Sequence, residues 1–195
     1  MRLEQLINTI INPQKNKIMS NFNVPTRDEV SVNNQAIFDN LEKGVGFVPN
    51  IYATMGHSKN ALGTYMQFLG AATSLNNKEK EVVNLAVSQS NGCKYCQAAH
   101  TATGKMNGFT DDQIIELRKG EASWDSKTNV LAQTAQRIAT TNGQIGADSL
   151  SAFHTAGYTK ENLVDLIMAI GVITVTNLLH NVTEVPIDFP LAVEL

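Results

Sequence analysis

Helix-starting and helix-ending signals alternate along most of this chain, and they constrain its fold more than any other feature. The segment Thr110-Asp111-Asp112-Gln113 is a capping-box pattern, and Asn91-Gly92 and Asn142-Gly143 are typical helix ends. Between these signals apolar residues recur at helical spacing, whereas the alternation that strands need is weak throughout. The sequence therefore predicts an all-α fold.

The predicted helices follow these signals. They run over residues 33–43, from Pro49 to near Gly56, from Ser58 through Leu69, from Asn76 or Asn77 to Asn91, over 93–107, from Thr110 to Lys119, from Asp125 or Ser126 to Asn142, over 148–156 and from Thr159 to about Asn181.

Length and pattern indicate one helical domain, residues 19–195, because 195 residues suffice for one core. Residues 1–18 look different and form an N-terminal extension. Its apolar positions, Leu3, Leu6, Ile7, Ile10 and Ile11, would give a short amphipathic helix. We leave open whether that helix docks onto a neighbour or frays.

Charge and hydropathy exclude several partners. The formal net charge is −3 without a Lys/Arg cluster, so nucleic acid is not expected. No secretory signal is visible, and the apolar stretch from Ile167 to Leu179 is too short to span a bilayer. We expect a cytoplasmic protein without a membrane partner. Only 17% of residues are charged, and 167–179 is apolar around most of its circumference, which favours a homo-oligomer.

The chain has two cysteines, and they form the motif Cys93-Lys94-Tyr95-Cys96. In a reducing compartment such a pair is typically redox-active or metal-binding. On a helix, Cys93, Cys96 and His100 share one face. Glu81 lies on the preceding helix and would meet His100 if the two helices pack antiparallel, which the Asn91-Gly92 turn favours.

The residue types match thiol chemistry. A thiol attacks as the thiolate, and its pKa falls near a helix N-terminus, near a histidine or within a CxxC pair. Two alternatives are a zinc site, with Cys93, Cys96 and His100 as three ligands, and a pair of incidental buried cysteines. No second CxxC or histidine pair completes a structural metal site. We therefore expect neither a metal nor a cofactor.

The spacing of Glu81, the Cys93–Cys96 motif and His100 resembles the active-site signature of the AhpD-like alkylhydroperoxidases in the carboxymuconolactone decarboxylase superfamily. Ser88 also fits that pattern. The resemblance implies an AhpD-like helical bundle that forms trimers or hexamers. It also implies a peroxidase that uses a hydroperoxide and a thiol or dithiol reductant.

The resemblance further assigns roles at the motif. Cys96 would be the peroxidatic cysteine, Cys93 would resolve its sulfenic acid as a disulfide, and His100 with Glu81 would relay protons. The helix-end argument favours Cys93 as the more acidic thiol, so the two arguments differ, and we follow the resemblance. One departure is Tyr95, where the best-studied members have a histidine; tyrosine is no base at neutral pH.

These features predict a thiol-dependent peroxidase. One alternative is a non-catalytic redox sensor or assembly module, in which disulfide formation changes packing. A lactone decarboxylase, the superfamily's other named activity, is disfavoured because that chemistry is not expected to need a CxxC pair.

Overall fold

The computed structural model describes residues 22–195, so the predicted extension over residues 1–18 lies outside the described part of the chain. A short 3₁₀ helix, Arg27–Glu29, precedes the α-helices. These are α1 (Val32–Val45), α2 (Asn50–Met55), α3 (Ala61–Leu69), α4 (Asn77–Ser90), α5 (Lys94–Met106), α6 (Asp111–Lys119), α7 (Ser126–Thr141), α8 (Gly146–Thr155) and α9 (Lys160–Thr183). No strand occurs over 22–195, which confirms the all-α prediction.

The predicted helix ends are close to the observed ones because local capping chemistry sets them. Thr110 caps α6 in a capping box with Gln113, and Asp125 accepts a hydrogen bond from the backbone N–H of Thr128 at the start of α7. Helix α1 ends at Gly46, whose φ of 90° is the left-handed conformation that glycine adopts most easily. The helix boundaries are therefore largely local properties of the sequence.

Helix α4 is the centre of the bundle. It packs against α5, α6, α7 and α9, and its residues from Glu81 to Ser88 are almost all buried. A second, smaller apolar cluster joins α1, α2 and α3 through Phe38, Met55 and Leu62. The long apolar side of α4 thus fixes where its polar residues, Glu81 and Ser88, enter the core.

Helix α9 has one buried side and one exposed apolar side. Leu166, Ile170 and Ile173 are buried, whereas Leu178 is 60% exposed and Val182 is 74% exposed. Among the residues that the structure describes, α9 is also the helix that is long and apolar enough to cross a membrane by length and composition. Core helices of soluble proteins can meet the same criteria.

After α9 the chain continues without regular secondary structure as the C-terminal segment, residues 184–195. Arg118, a buried residue of α6, donates from Nη1 to the carbonyl oxygen of Val193 at 2.7 Å. The exposed Lys94 and Glu194 form an ion pair at 3.3 Å. These contacts hold the C-terminal segment close to the N-terminal end of α5.

Candidate dithiol active site

Cys93 is the N-cap of α5. Its backbone is extended, with φ of −78° and ψ of 99°, and the backbone N–H of Cys96 donates to its sulfur at 3.2 Å. The backbone N–H of Cys93 donates to the carbonyl oxygen of Ser88 at 3.0 Å, which joins the cap to the end of α4. The helix begins one residue later than the prediction. Cys93 therefore meets the positive end of the helix dipole as a cap, rather than as a helical residue sharing the face of Cys96 and His100.

Cys96 lies in the first turn of α5 and faces α9. Its sulfur is 3.7 Å from Oγ1 of Thr176, and the Thr176 hydroxyl donates to the carbonyl oxygen of Ile173 at 2.9 Å. Both cysteines are free thiols, with Cys93 0% and Cys96 2% exposed. The dithiol is thus buried between α5 and α9.

The two thiols have opposite pKa shifts. Hydrogen bonding from Cys96 is the largest cause that lowers the pKa of Cys93 to about 5, and the neighbouring His180 acts in the same direction against the effect of burial. Hydrogen bonding to Cys93, followed by burial, raises the pKa of Cys96 above its ordinary value. This pattern favours a thiolate at Cys93 and a protonated Cys96.

His100 and Glu81 are in contact, as the antiparallel arrangement of α4 and α5 predicts. The distance from Nδ1 of His100 to Oε2 of Glu81 is 2.8 Å, and Nδ2 of Asn84 donates to Oε1 of Glu81 at 3.0 Å. Because an ionised carboxylate only accepts hydrogen bonds, Nδ1 of His100 carries the hydrogen in this pair. Nε2 is then the nitrogen left for proton exchange.

The structure does not join His100 to the thiols by a hydrogen bond within residues 22–195. The side chain of Cys96 has Thr176, Cys93 and Asn177 as its polar neighbours instead. Tyr52 and Tyr65 also lie in this region, with ring centroids 5.8 Å apart. Burial first, and then the charges of Cys96 and Glu81, raise the pKa of Tyr52 to about 12. Tyr52 is therefore near both Cys96 and Glu81.

Tyr95, the departure noted in the motif, binds the C-terminal segment. Its hydroxyl donates to Oδ1 of Asp188 at 2.6 Å and accepts from the backbone N–H of Ile51 at 3.3 Å. The second carboxylate oxygen of Asp188 accepts from the backbone N–H of Asn50 at 2.7 Å. The residue between the cysteines thus joins α2, α5 and the C-terminal segment at a single point.

His180 is the site residue that sequence reasoning missed. A histidine near the end of an apolar helix usually does no more than interact with the helix dipole, but the ring of His180 packs on Tyr95 with centroids 5.6 Å apart. The Phe189 ring also packs edge-on against the Tyr95 ring, with centroids 5.7 Å apart. No spacing rule connects a histidine to a cysteine so far along the chain, and only packing of α9 on α5 brings them together.

A cavity of about 130 Å³ lies beside the other end of α4, between α3 and α9. Its apolar wall includes Phe68, Met168 and Val172, and its polar residues include Lys80 and Asn84. Asn84 joins this cavity to the Glu81–His100 pair through its hydrogen bond to Glu81. Within residues 22–195, no group of three or more His, Cys, Asp or Glu side chains is arranged to hold a metal ion.

Residues 59–136 match the carboxymuconolactone decarboxylase family. The match includes Glu81, both cysteines and His100, whereas His180 and Asp188 lie beyond it. Among curated protein sequences, none matches the chain significantly.

Several solved structures share the fold. An uncharacterised peroxidase-related protein from Ralstonia eutropha JMP134, with an alkylhydroperoxidase AhpD core, has a TM-score of 0.78 and 18% identity, over 87% of this chain and 93% of that one. A peroxidase-related protein from Silicibacter sp. TM1040 has a TM-score of 0.75 and 19% identity, over 90% and 95%. The debrominase Bmp8, as a variant in complex with 2,3,4-tribromopyrrole, has a TM-score of 0.73 and 14% identity, over 86% and 91%.

The family match thus covers residues 59–136, and the chain has an AhpD-like fold. This confirms the resemblance drawn from the Glu81, CxxC and His100 spacing. At identities below one fifth, the structural likeness establishes the fold, and the debrominase shows that the fold hosts more than one chemistry.

Proposed function

We propose that the protein is a thiol-dependent peroxidase that reduces hydroperoxides through a dithiol–disulfide cycle of Cys93 and Cys96. The observation that carries the proposal is the N-cap geometry of Cys93, whose sulfur accepts the backbone N–H of Cys96 at 3.2 Å beside a second thiol. A stabilised thiolate is the form that attacks peroxide, and a neighbouring thiol is what resolves the product.

The geometry favours Cys93 for the attack, although the family resemblance implies Cys96. The Cys93 thiolate would attack the outer oxygen of ROOH, so an S–O bond forms and the O–O bond breaks. The alkoxide leaves and takes a proton to become ROH. Cys96 then attacks the sulfenic sulfur of Cys93, which gives a disulfide and water, and a thiol or dithiol reductant restores the two thiols.

Within this proposal the Glu81–His100 pair supplies protons. The carboxylate holds Nδ1 of His100 at 2.8 Å, which fixes the ring and leaves Nε2 available. Half-buried groups of this kind serve as general acids and bases near neutral pH. The four proposed catalytic residues are therefore Cys93, Cys96, His100 and Glu81.

The cavity next to Asn84 has an apolar wall that includes Phe68, Met168 and Val172, but neither cysteine nor His100 lines it. We therefore propose hydroperoxides as the substrate class, with no preference between organic hydroperoxides and hydrogen peroxide.

Single cysteine variants test the proposal. With Cys93→Ser and Cys96→Ser proteins, peroxide consumption is followed with dithiothreitol as reductant, and sulfenic acid is labelled with dimedone and located by peptide mass spectrometry. Both variants should lose turnover. If Cys93 attacks, the label appears on Cys93 in the Cys96→Ser protein, because no thiol remains to resolve the sulfenic acid.

The opposite pattern, with label on Cys96 in the Cys93→Ser protein, would return the attack to Cys96. The wild type should form an intramolecular Cys93–Cys96 disulfide after mild oxidation, visible by non-reducing peptide mapping. Slow stoichiometric oxidation without turnover would replace the peroxidase with the redox-sensor alternative. Absence of both label and peroxide consumption would reject the proposal.

A further inference from the structure

His180 is the one histidine in the described chain whose ring lies against the cysteine motif without belonging to the proposed Glu81–His100 pair. Nδ1 of His180 is buried and has no hydrogen-bond partner within residues 22–195. Buried polar atoms without a partner are uncommon in folded proteins and often have a chemical role. A buried imidazole nitrogen without a hydrogen-bond partner, next to a thiol, can have the role of exchanging a proton with that thiol.

The position of the ring is fixed from two sides. Tyr95 packs on it with ring centroids 5.6 Å apart, and the Tyr95 hydroxyl is in turn held by Asp188 at 2.6 Å. Helix α9 supplies the other constraint, since His180 is one turn from Thr176, which contacts Cys96 at 3.7 Å. The ring therefore lies against Tyr95, the motif residue that also binds the C-terminal segment.

The titratable groups around His180 come from two elements, α5 with its N-cap and the C-terminal segment. Cys93 and Cys96 lie at the start of α5, Tyr95 lies between them, and Asp188 comes from the C-terminal segment. Asp188 already accepts two hydrogen bonds, from Tyr95 and from the backbone of Asn50, so its carboxylate is satisfied. The lowered pKa of Cys93, to which His180 contributes, agrees with a direct interaction between these two groups.

We infer that His180 is the acid–base partner of Cys93, separate from the Glu81–His100 pair. This inference rests on the proposed peroxidase function for its place in a catalytic cycle, but not for the proton transfer itself. In the transfer the S–H bond of Cys93 breaks, its electron pair stays on sulfur, and the proton moves to an imidazole nitrogen of His180. The product is a thiolate beside an imidazolium, with no change in oxidation state.

In the cycle, this imidazolium has a proton to give to the alkoxide that leaves when the O–O bond breaks. The reduced protein would thus have two proton sites. His180 would exchange a proton with Cys93. The Glu81–His100 pair would exchange protons with groups on the opposite side of the motif.

The test is a pH titration of the thiolate absorbance near 240 nm in the full-length reduced protein, for the wild type and for His180→Gln. The Cys93 inflection in His180→Gln should move upward by about one pH unit or more, because a hydrogen-bonded, oppositely charged partner of the thiolate is lost. His154→Gln is the matched control, since His154 bonds the carbonyl oxygen of Tyr158 at the end of α8, away from the motif. It should leave the inflection in place.

An unchanged inflection in a His180→Gln protein with native circular dichroism would overturn the inference. If that variant does not fold, NMR of the wild type decides. The ring Cε1–H resonance of His180 at pH 7 should differ between dithiol and disulfide forms, and that of His154 should not; equal shifts for His180 in both forms would overturn it. Neither measurement uses peroxide, so a wild type without peroxidase activity would reject the proposed function and leave this inference standing.

Discussion

The two histidines near the dithiol contrast in what holds them. His100 has a carboxylate partner at 2.8 Å but no hydrogen bond to either sulfur within the described chain. His180 has a buried nitrogen without a partner, yet it lies beside the thiol with the lowered pKa. A histidine that is hydrogen-bonded to a carboxylate is oriented by that carboxylate. A histidine without a carboxylate partner can have its protonated form favoured by a neighbouring thiolate instead.

In the proposed mechanism the two histidines have separate roles. The Glu81–His100 side is built from consecutive helices and faces a cavity. The His180 side is built from α9 and the C-terminal segment and faces the cap of α5. The following predictions separate these two sides.

The largest expected effect concerns the Glu81 side. Glu81→Gln should slow peroxide reduction by about 10²-fold, because the carboxylate that orients His100 is lost. Steady-state rates with dithiothreitol measure this, and the exposed Glu121→Gln is the matched control. The Cys93 thiolate titration should be unchanged in Glu81→Gln. An unaltered rate would remove Glu81 from the proton relay.

A second prediction concerns the exposed side of α9, which we propose is covered by other copies of this chain. Leu178→Asp should convert an oligomer into a species near 21.2 kDa in light scattering at micromolar concentration. Val32→Asp, at a position on α1 that is 78% exposed against 60% for Leu178, is the control and should keep the assembly. A wild type that is itself near 21.2 kDa would refute the proposal.

A moderate effect is expected for the Tyr95–Asp188 hydrogen bond. Tyr95→Phe should lower the free energy of unfolding by about 1–2 kcal/mol, because a carboxylate loses a donor. Chemical denaturation of the reduced protein measures the loss. Asp188→Asn and the double variant complete a cycle, in which the double variant should be destabilised by less than the sum of the single changes. Strict additivity would mean that the two groups do not interact.

A further prediction is a pH dependence of stability from Cys93. Its pKa is about 5 in the folded protein against 9.0 for the ordinary thiol, so the folded state favours the thiolate. The stabilisation is fully present above pH 9 and is lost as the pH falls toward 5. The stability of the reduced wild type relative to Cys93→Ser should therefore rise from about pH 5 to pH 9. A flat difference across this window, measured with urea, would contradict a Cys93 thiolate.

Local chemistry explains what the sequence could predict. The cap at Thr110 and the glycine at the end of α1 stabilise helix ends through contacts within a few residues, so helix ends can be predicted from the sequence. The Glu81–His100 contact can also be predicted from the sequence, because one tight turn joins α4 to α5. The N-cap conformation of Cys93 is also local, but helical spacing alone placed it inside the helix.

The remaining part of the site depends on contacts between distant segments. Tyr95 and Asp188 are 93 residues apart in the sequence, and His180 reaches the motif only because α9 packs on α5. Neither relation has a spacing signature, since α6, α7 and α8, with their own packing, lie between α5 and α9. These partners emerge only when the whole bundle is assembled.

The hydrogen bond between Tyr95 and Asp188 has a consequence for how such a protein can evolve. A residue without a hydroxyl at position 95 would leave the Asp188 carboxylate short of a donor, so selection on either position acts on both. Close relatives should therefore change the two positions together. A CxxC motif with a residue that has no hydrogen-bond donor between its cysteines would leave Asp188 with the backbone N–H of Asn50 as its donor, unless the C-terminal segment changes with it.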